Sequence, residues 1–150
     1  MAEDREALLA HYMQMRKALL ASIDGLGDEQ LLDPSIDGWA GKDHLAHIAL
    51  WDDIRADEIT RISAGHDSAW RTTEDQATAF IALAYALRRS FSLEQARWEL
   101  MASRQRLLEA IAAATPRGLD AALYGDASLR TDHEATHAGW IRRWRQERGI

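Results

Sequence analysis

The sequence predicts an all-α protein, a bundle of four long helices with one extra short helix or bend. Apolar residues recur at intervals of three and four nearly everywhere, the spacing that puts them on one face of a helix. No stretch alternates β-branched and polar residues between turn signals, as a half-buried strand would. Helix start and stop signals also divide the chain into segments of helical length. At 150 residues the chain is long enough to bury about two thirds of the surface its unfolded form exposes, so residues 1–150 read as one domain that needs no staples to fold.

The first helix covers 3 to 24. Leu8, Tyr12, Met15, Leu19 and Ile23 form its stripe, and Gly25 and Gly27 stop it. A polar connection containing Pro34 leads to the second helix, which starts near Gly41 and ends by Gly65, with His47, Ile48, Trp51, Ile54, Glu58 and Ile62 on one side. The stretch "SAGHDSAWRTTEDQ" has no periodicity and reads as a loop. Phe80, Leu83, Leu87 and Phe91 define a third, shorter helix. Ser92 opens the fourth, because "SLEQ" has the capping spacing in which the serine oxygen takes the N3 amide while a glutamine reaches back. Ala96, Leu100, Leu107, Leu108 and Ile111 form that helix's buried face, and Pro116 and Gly118 end it. Thr131 and Glu134 repeat the capping spacing, so the last helix begins just before His133.

The chain has no cysteine, which excludes disulfides, thiolate ligands and a cysteine nucleophile and suits a reducing compartment such as the cytoplasm. Any metal must then be held by His, Asp or Glu. The first residues are charged and lack an apolar core, so no signal peptide is expected, and no run is long enough to cross a membrane. With 18 basic and 24 acidic residues the formal charge is -6, which provides no footprint for nucleic acid or an anionic membrane. The basic cluster "WIRRWRQER" reads as the solvated outer face of the last helix.

The histidines carry the chemistry. From His133, the residues His137, Trp140 and Trp144 follow at offsets of four, seven and eleven, so on a helix all four share a face. His47 lies on the inward side of the second helix beside Ile48, Trp51 and Ile54. Three inward imidazoles near the starts of two helices need partners for six ring nitrogens, which leaves either hydrogen-bonded core histidines or a metal site. His44, one turn before His47, is the alternative ligand but reads as an exposed first-turn residue. His11 reads as structural or exposed, and His66 as solvated in a loop. Asp43 is either an acceptor that orients a ligand imidazole or a first-turn carboxylate favoured by the helix dipole. Glu58 reads as a boundary residue, and Asp132 and Glu134 point away from His133 by about 100°. Trp51, Trp140 and Trp144 read as core, or as the lining of an apolar pocket. Trp39 packs where the second helix begins, while Trp98 falls off its helix's stripe and marks a partner surface.

The stretch "GWAGKDHLAHIALWDD", followed late in the chain by "DHEATHAGWIRRW", resembles the paired signatures of the DinB/YfiT-like superfamily, and "RRSFSLEQARWELMASRQRLLEAI" is similar to its helix before the last. The resemblance implies a four-helix bundle with up-down-down-up connectivity, often in a homodimer. It also implies a divalent metal, zinc or nickel, on three histidines whose positions fall on His47, His133 and His137. Relatives of this kind include thiol-dependent transferases and a maleylpyruvate isomerase. Three imidazoles leave an open coordination position, so thiol transfer, hydrolysis and isomerisation of a small molecule are all accessible. Lacking cysteine, the chain would draw any thiol from a low-molecular-weight cosubstrate. The alternative is a non-enzymatic stress or interaction module with a structural or vestigial metal site.

Overall fold

Asp4 opens the first helix, α1 (Arg5–Ile23), by accepting the amide of Ala7 at 2.8 Å. In the computed structural model, which describes residues 2–150, the predicted stripe of Leu8, Tyr12, Met15 and Leu19 is buried. Gly25 follows in the left-handed region that stops a helix cheaply only for glycine. The connection to Pro34 is more ordered than its composition suggests. It holds a short helix, α2 (Asp28–Leu32), in which Gln30 accepts the amide of Gly27 at 2.9 Å and Leu31 is buried. Its five residues are too few to show a period, so the sequence alone gives no sign of this helix.

Four more helices follow: α3 (Gly41–Ser63), α4 (Glu74–Arg88), α5 (Leu93–Ala113) and α6 (His133–Arg148), with two single 3-10 turns between α5 and α6. The described residues contain no strand, only the isolated bridges Ala2–Asp120 and Ile36–Trp39. Ser92 caps α5 by taking the Gln95 amide at 3.0 Å, the serine half of the expected pair, without the Gln95 side chain accepting the Ser92 amide in return. The expected capping pair on α6 does not form: Thr131 Oγ1 takes the His133 amide at 3.1 Å, and Glu134 turns inward to two arginines. A buried guanidinium is a stronger partner for a carboxylate than one backbone amide.

α3 packs most extensively on α5 and α1 on α6, while α2, α4 and α6 also touch α3. Because it is covered on several sides, α3 buries residues all around its circumference. Glu58 is therefore no boundary residue. It is 0% exposed, with its carboxylate accepting from Arg61, the Ser68 hydroxyl and the Ala69 amide, and so it pins the loop that leads to α4. The face of α4 also differs from expectation. Leu83 and Leu87 are 58% and 62% exposed, and Ala84, with Phe80 and Tyr85, faces inward. Tryptophan rings from the α3 side occupy the interface, so it accepts a small residue and flat rings rather than branched side chains.

The interior has two apolar clusters, one around Leu8, Ile59, Leu107 and Leu129, the other around Leu19, Leu45, Leu100 and Ile141. Between the two clusters, each of these four helices gives one side chain to a buried ion-pair layer: Arg16 on α1, Asp52 on α3, Arg104 on α5 and Glu134 on α6. Arg16 bonds Asp52 at 2.9 Å and Glu134 at 2.6 Å, and Arg104 bonds Asp52 at 3.0 Å and Glu134 at 2.5 Å. Arg104 also donates to the Tyr12 carbonyl at 2.6 Å, and Arg16 to the Leu100 carbonyl at 2.8 Å. Charges this deeply buried are tolerable because each has its counter-charge and further hydrogen bonds.

Glu134→Ala, which takes one carboxylate from both arginines, is expected to lower stability by about 3 kcal/mol, seen as a lower urea midpoint at constant slope. A loss under about 0.5 kcal/mol, the size of an ordinary surface substitution, would show that the layer contributes little.

Candidate metal centre

Three of the predicted site residues converge. His47 comes from the second turn of α3, His133 is the first residue of α6, and His137 follows one turn later. His133 Nε2 lies 3.0 Å from His137 Nε2 and 3.3 Å from His47 Nε2. One ring nitrogen from each residue lies within 4.8 Å of the others. Zinc–imidazole bonds of about 2.0–2.1 Å at tetrahedral angles place ligand nitrogens about 3.4 Å apart, so the spacing suits a shared cation. Hydrogen bonding alone suits it less well. The Nε2 of a neutral imidazole has either one proton or one lone pair, and here His133 Nε2 faces two other ring nitrogens.

His44 is not the exposed residue its first-turn position suggests. It is 3% exposed, with its Nδ1 2.7 Å from His137 Nδ1. Trp39 lies 5.2 Å from its ring centroid and Trp140 6.2 Å, so aromatic rings cover a turn that would otherwise face water. Asp43 takes the capping role, accepting the Ala40 amide at 2.8 Å. His11 is half-buried and bonds the Thr131 carbonyl at 2.8 Å, whereas His66 is exposed. The Asp132 side chain is solvent-exposed, in keeping with its expected direction away from His133.

Two cavities meet at the histidines. The larger, about 370 Å³, has Ile36, Trp39, Ile81 and Trp140 in its wall, and the smaller, about 240 Å³, has Trp51, Arg55, Asp126 and Thr131. His47, Ile81 and His133 line both. Trp39 stacks on Tyr85 of α4 at 5.3 Å, and Trp51 meets Trp70 and Phe80 edge-on at 5.9 Å, so α4 and the loop before it roof the site. Trp140 is partly open at 39% exposure, while Trp144 is core and donates its indole N–H to Ser35 at 3.0 Å. No local signal singles out Tyr85 or Trp70, because Trp70 lies in a stretch without periodicity and Tyr85 lies off the spacing of Phe80, Leu83 and Leu87.

The sequence profile of the DinB superfamily matches residues 11–144. The chain belongs to the DinB superfamily. No curated protein matches it. Among solved structures, the crystal structure of an uncharacterised protein from Escherichia coli UTI89 is similar, with a TM-score of 0.76 at 15% identity over 97% of this chain and 95% of that one. At that identity the likeness speaks to the fold alone.

In this DinB protein, burial keeps all four clustered histidines neutral. Desolvation is the leading cause in each case: it lowers His44 to about 4 and His47 to about 3, and it lowers His133 and His137 as well. The neighbouring histidines push His47 and His137 further down. His47, His133 and His137 therefore each keep a nitrogen lone pair for a cation at neutral pH.

A histidine whose pKa is lowered by folding stabilises the fold above its unfolded pKa and loses that contribution as pH falls. With the ordinary value at 6.5 and the folded values of His44 and His47 near 4 and 3, chelator-treated protein should lose stability as the pH drops from about 7 to 5. Its melting temperature is expected to fall more steeply over that range than that of a His44→Leu/His47→Leu variant. Parallel curves would contradict the burial effect.

Proposed function

We propose that this DinB protein is a divalent-metal-dependent enzyme acting on a small molecule, with His47, His133 and His137 as the metal ligands. The observation that carries this reading is the convergence of three neutral imidazole nitrogens from two helices at separations suited to one ion. Zinc or nickel at such a site supplies a Lewis acid with an open coordination position, able to activate water or a low-molecular-weight thiol or to polarise a carbonyl. The 370 Å³ cavity against the same rings favours an enzyme over a closed structural site, since it gives a reactant room beside the ion.

The remaining residues position and enclose. A His137 that offers its Nε2 lone pair must have its proton on Nδ1, which then donates to His44 Nδ1 at 2.7 Å. His44 is left with its proton on Nε2, the buried nitrogen that has no partner. It thus serves as a positioning residue, fixing the tautomer and ring plane of His137 as an outer partner of a metal ligand does. Trp39, with its ring 5.2 and 5.3 Å from those of His44 and His47, restricts water around both. Residues 1–150 as one domain, with α1, α3, α5 and α6 as an up-down-down-up four-helix bundle, complete the reading. Exposed Trp98 is the natural centre of a homodimer contact.

Elemental analysis of untagged protein should find close to one equivalent of zinc or nickel, lost in His133→Ala and in His137→Ala. Metal-free protein that shows no affinity for either ion in titration would end the proposal. Chelator competition should show His44→Leu holding zinc about 10- to 100-fold more weakly. Unchanged affinity in that variant would remove His44 from the arrangement while leaving the three ligands in place.

A further inference from the structure

Two cations among the described residues are buried without a carboxylate in ion-pair range, Lys42 and Arg55. Lys42 is accounted for: its ammonium donates to the Arg89 and Phe91 carbonyls at 2.7 and 2.8 Å, at the end of α4. Arg55, 4% exposed, is not. Its Nε donates to the Ser128 carbonyl at 2.6 Å and its Nη1, at the longer distance of 3.4 Å, to the Trp51 carbonyl. The guanidinium carbon lies 5.9 Å from the Tyr12 ring centroid. Its Nη2 bonds to none of the described residues, yet it is not among the polar atoms sealed away without a partner. Arg55 lines the 240 Å³ cavity together with His47 and His133.

The nearby charges do not neutralise it. In the buried ion-pair layer, the two guanidinium groups of Arg16 and Arg104 are matched by the two carboxylates of Asp52 and Glu134, so the layer has no negative charge to spare. Asp126, exposed on the same cavity wall, keeps its charge but forms no ion pair with Arg55, its Oδ2 being held instead by the Thr72 amide at 2.7 Å and the Thr72 hydroxyl at 2.6 Å. A divalent ion on three neutral imidazoles would add more positive charge beside Arg55. Burying an uncompensated guanidinium is costly, and an anion that enters from solvent removes that cost. A carboxylate meets both requirements, since it accepts from a guanidinium edge and has an open ion next to it.

We propose that Arg55 receives the carboxylate of a small substrate whose remainder is largely apolar and lies in the adjoining 370 Å³ cavity against Ile36, Trp39, Ile81 and Trp140. This deepens the metal-enzyme reading and rests on it for the reaction, although the anion site can be tested without metal. A single guanidinium with two of its donors already engaged suits a monoanion better than phosphate.

Titration calorimetry on metal-free and zinc-loaded protein, with benzoate, benzamide and inorganic phosphate as probes, tests the assignment. Benzoate should bind at least ten-fold more tightly than benzamide, and Arg55→Gln should abolish that preference while zinc content stays unchanged. Arg55→Lys should retain part of it. The proposal is overturned if benzoate binds no better than benzamide, if Arg55→Gln keeps the preference, or if phosphate outcompetes benzoate. The comparison of probes on wild-type protein needs no variant, so a misfolded substitution cannot obscure the answer. If the protein takes up neither zinc nor nickel, the metal reading fails by itself, and the metal-free arm still decides whether Arg55 holds an anion.

Discussion

The structure depends on the buried layer of two arginines and two carboxylates, which takes one residue from each long helix. Apolar clusters above and below it are tolerant of sliding, because hydrophobic contact is non-directional. Ion pairs at 2.5 to 3.0 Å are not. A slip of α6 by one turn would take Glu134 away from both arginines and leave three charges buried out of balance. His133 is the residue immediately before Glu134, and His47 lies five residues before Asp52. The interaction that sets the helix register therefore also sets the separation of the candidate ligands.

Above that layer the environment changes from ionic to neutral. Burial holds the four clustered histidines uncharged, helped at His47 and His137 by repulsion from neighbouring histidines, so their nitrogens act as ligands or neutral hydrogen-bond partners rather than as cations. The aromatic residues around them, Trp39, Trp51, Trp140 and Tyr85, exclude water without offering competing carboxylates. A cation held there would have imidazole nitrogens as its protein ligands, a preference suited to zinc or nickel and poorly suited to magnesium or calcium. Arg55 lies where the neutral and ionic zones meet, and its charge gives the cavity a polarity that the histidines lack.

Membership of the DinB superfamily and the likeness to the Escherichia coli structure establish what kind of fold carries these side chains. They leave the reaction to the residues themselves. The residues that bear on the chemistry here include the pairing of His44 with His137 and the unmatched Arg55, both on or beside the first two thirds of α3. A fold can be shared widely while the groups facing its cavity decide the chemistry.

The sequence by itself determined the helical class, the boundaries of α1, α3, α5 and α6 to within a few residues, and the three histidines most worth watching. Each of these is local: a spacing of three or four, a serine three residues before a glutamine, a glycine after a stripe. Only the tertiary structure decided that His44 is buried against His137, that Glu58 holds a loop, that Glu134 pairs with arginines, and that Leu83 and Leu87 face outward. These outcomes depend on which other helices cover a given face. A period along one helix shows that residues share a side, but it says nothing of how many sides neighbouring segments enclose. α3 is buried around most of its circumference, so its histidines, acids and the unpaired Arg55 had to be placed by packing.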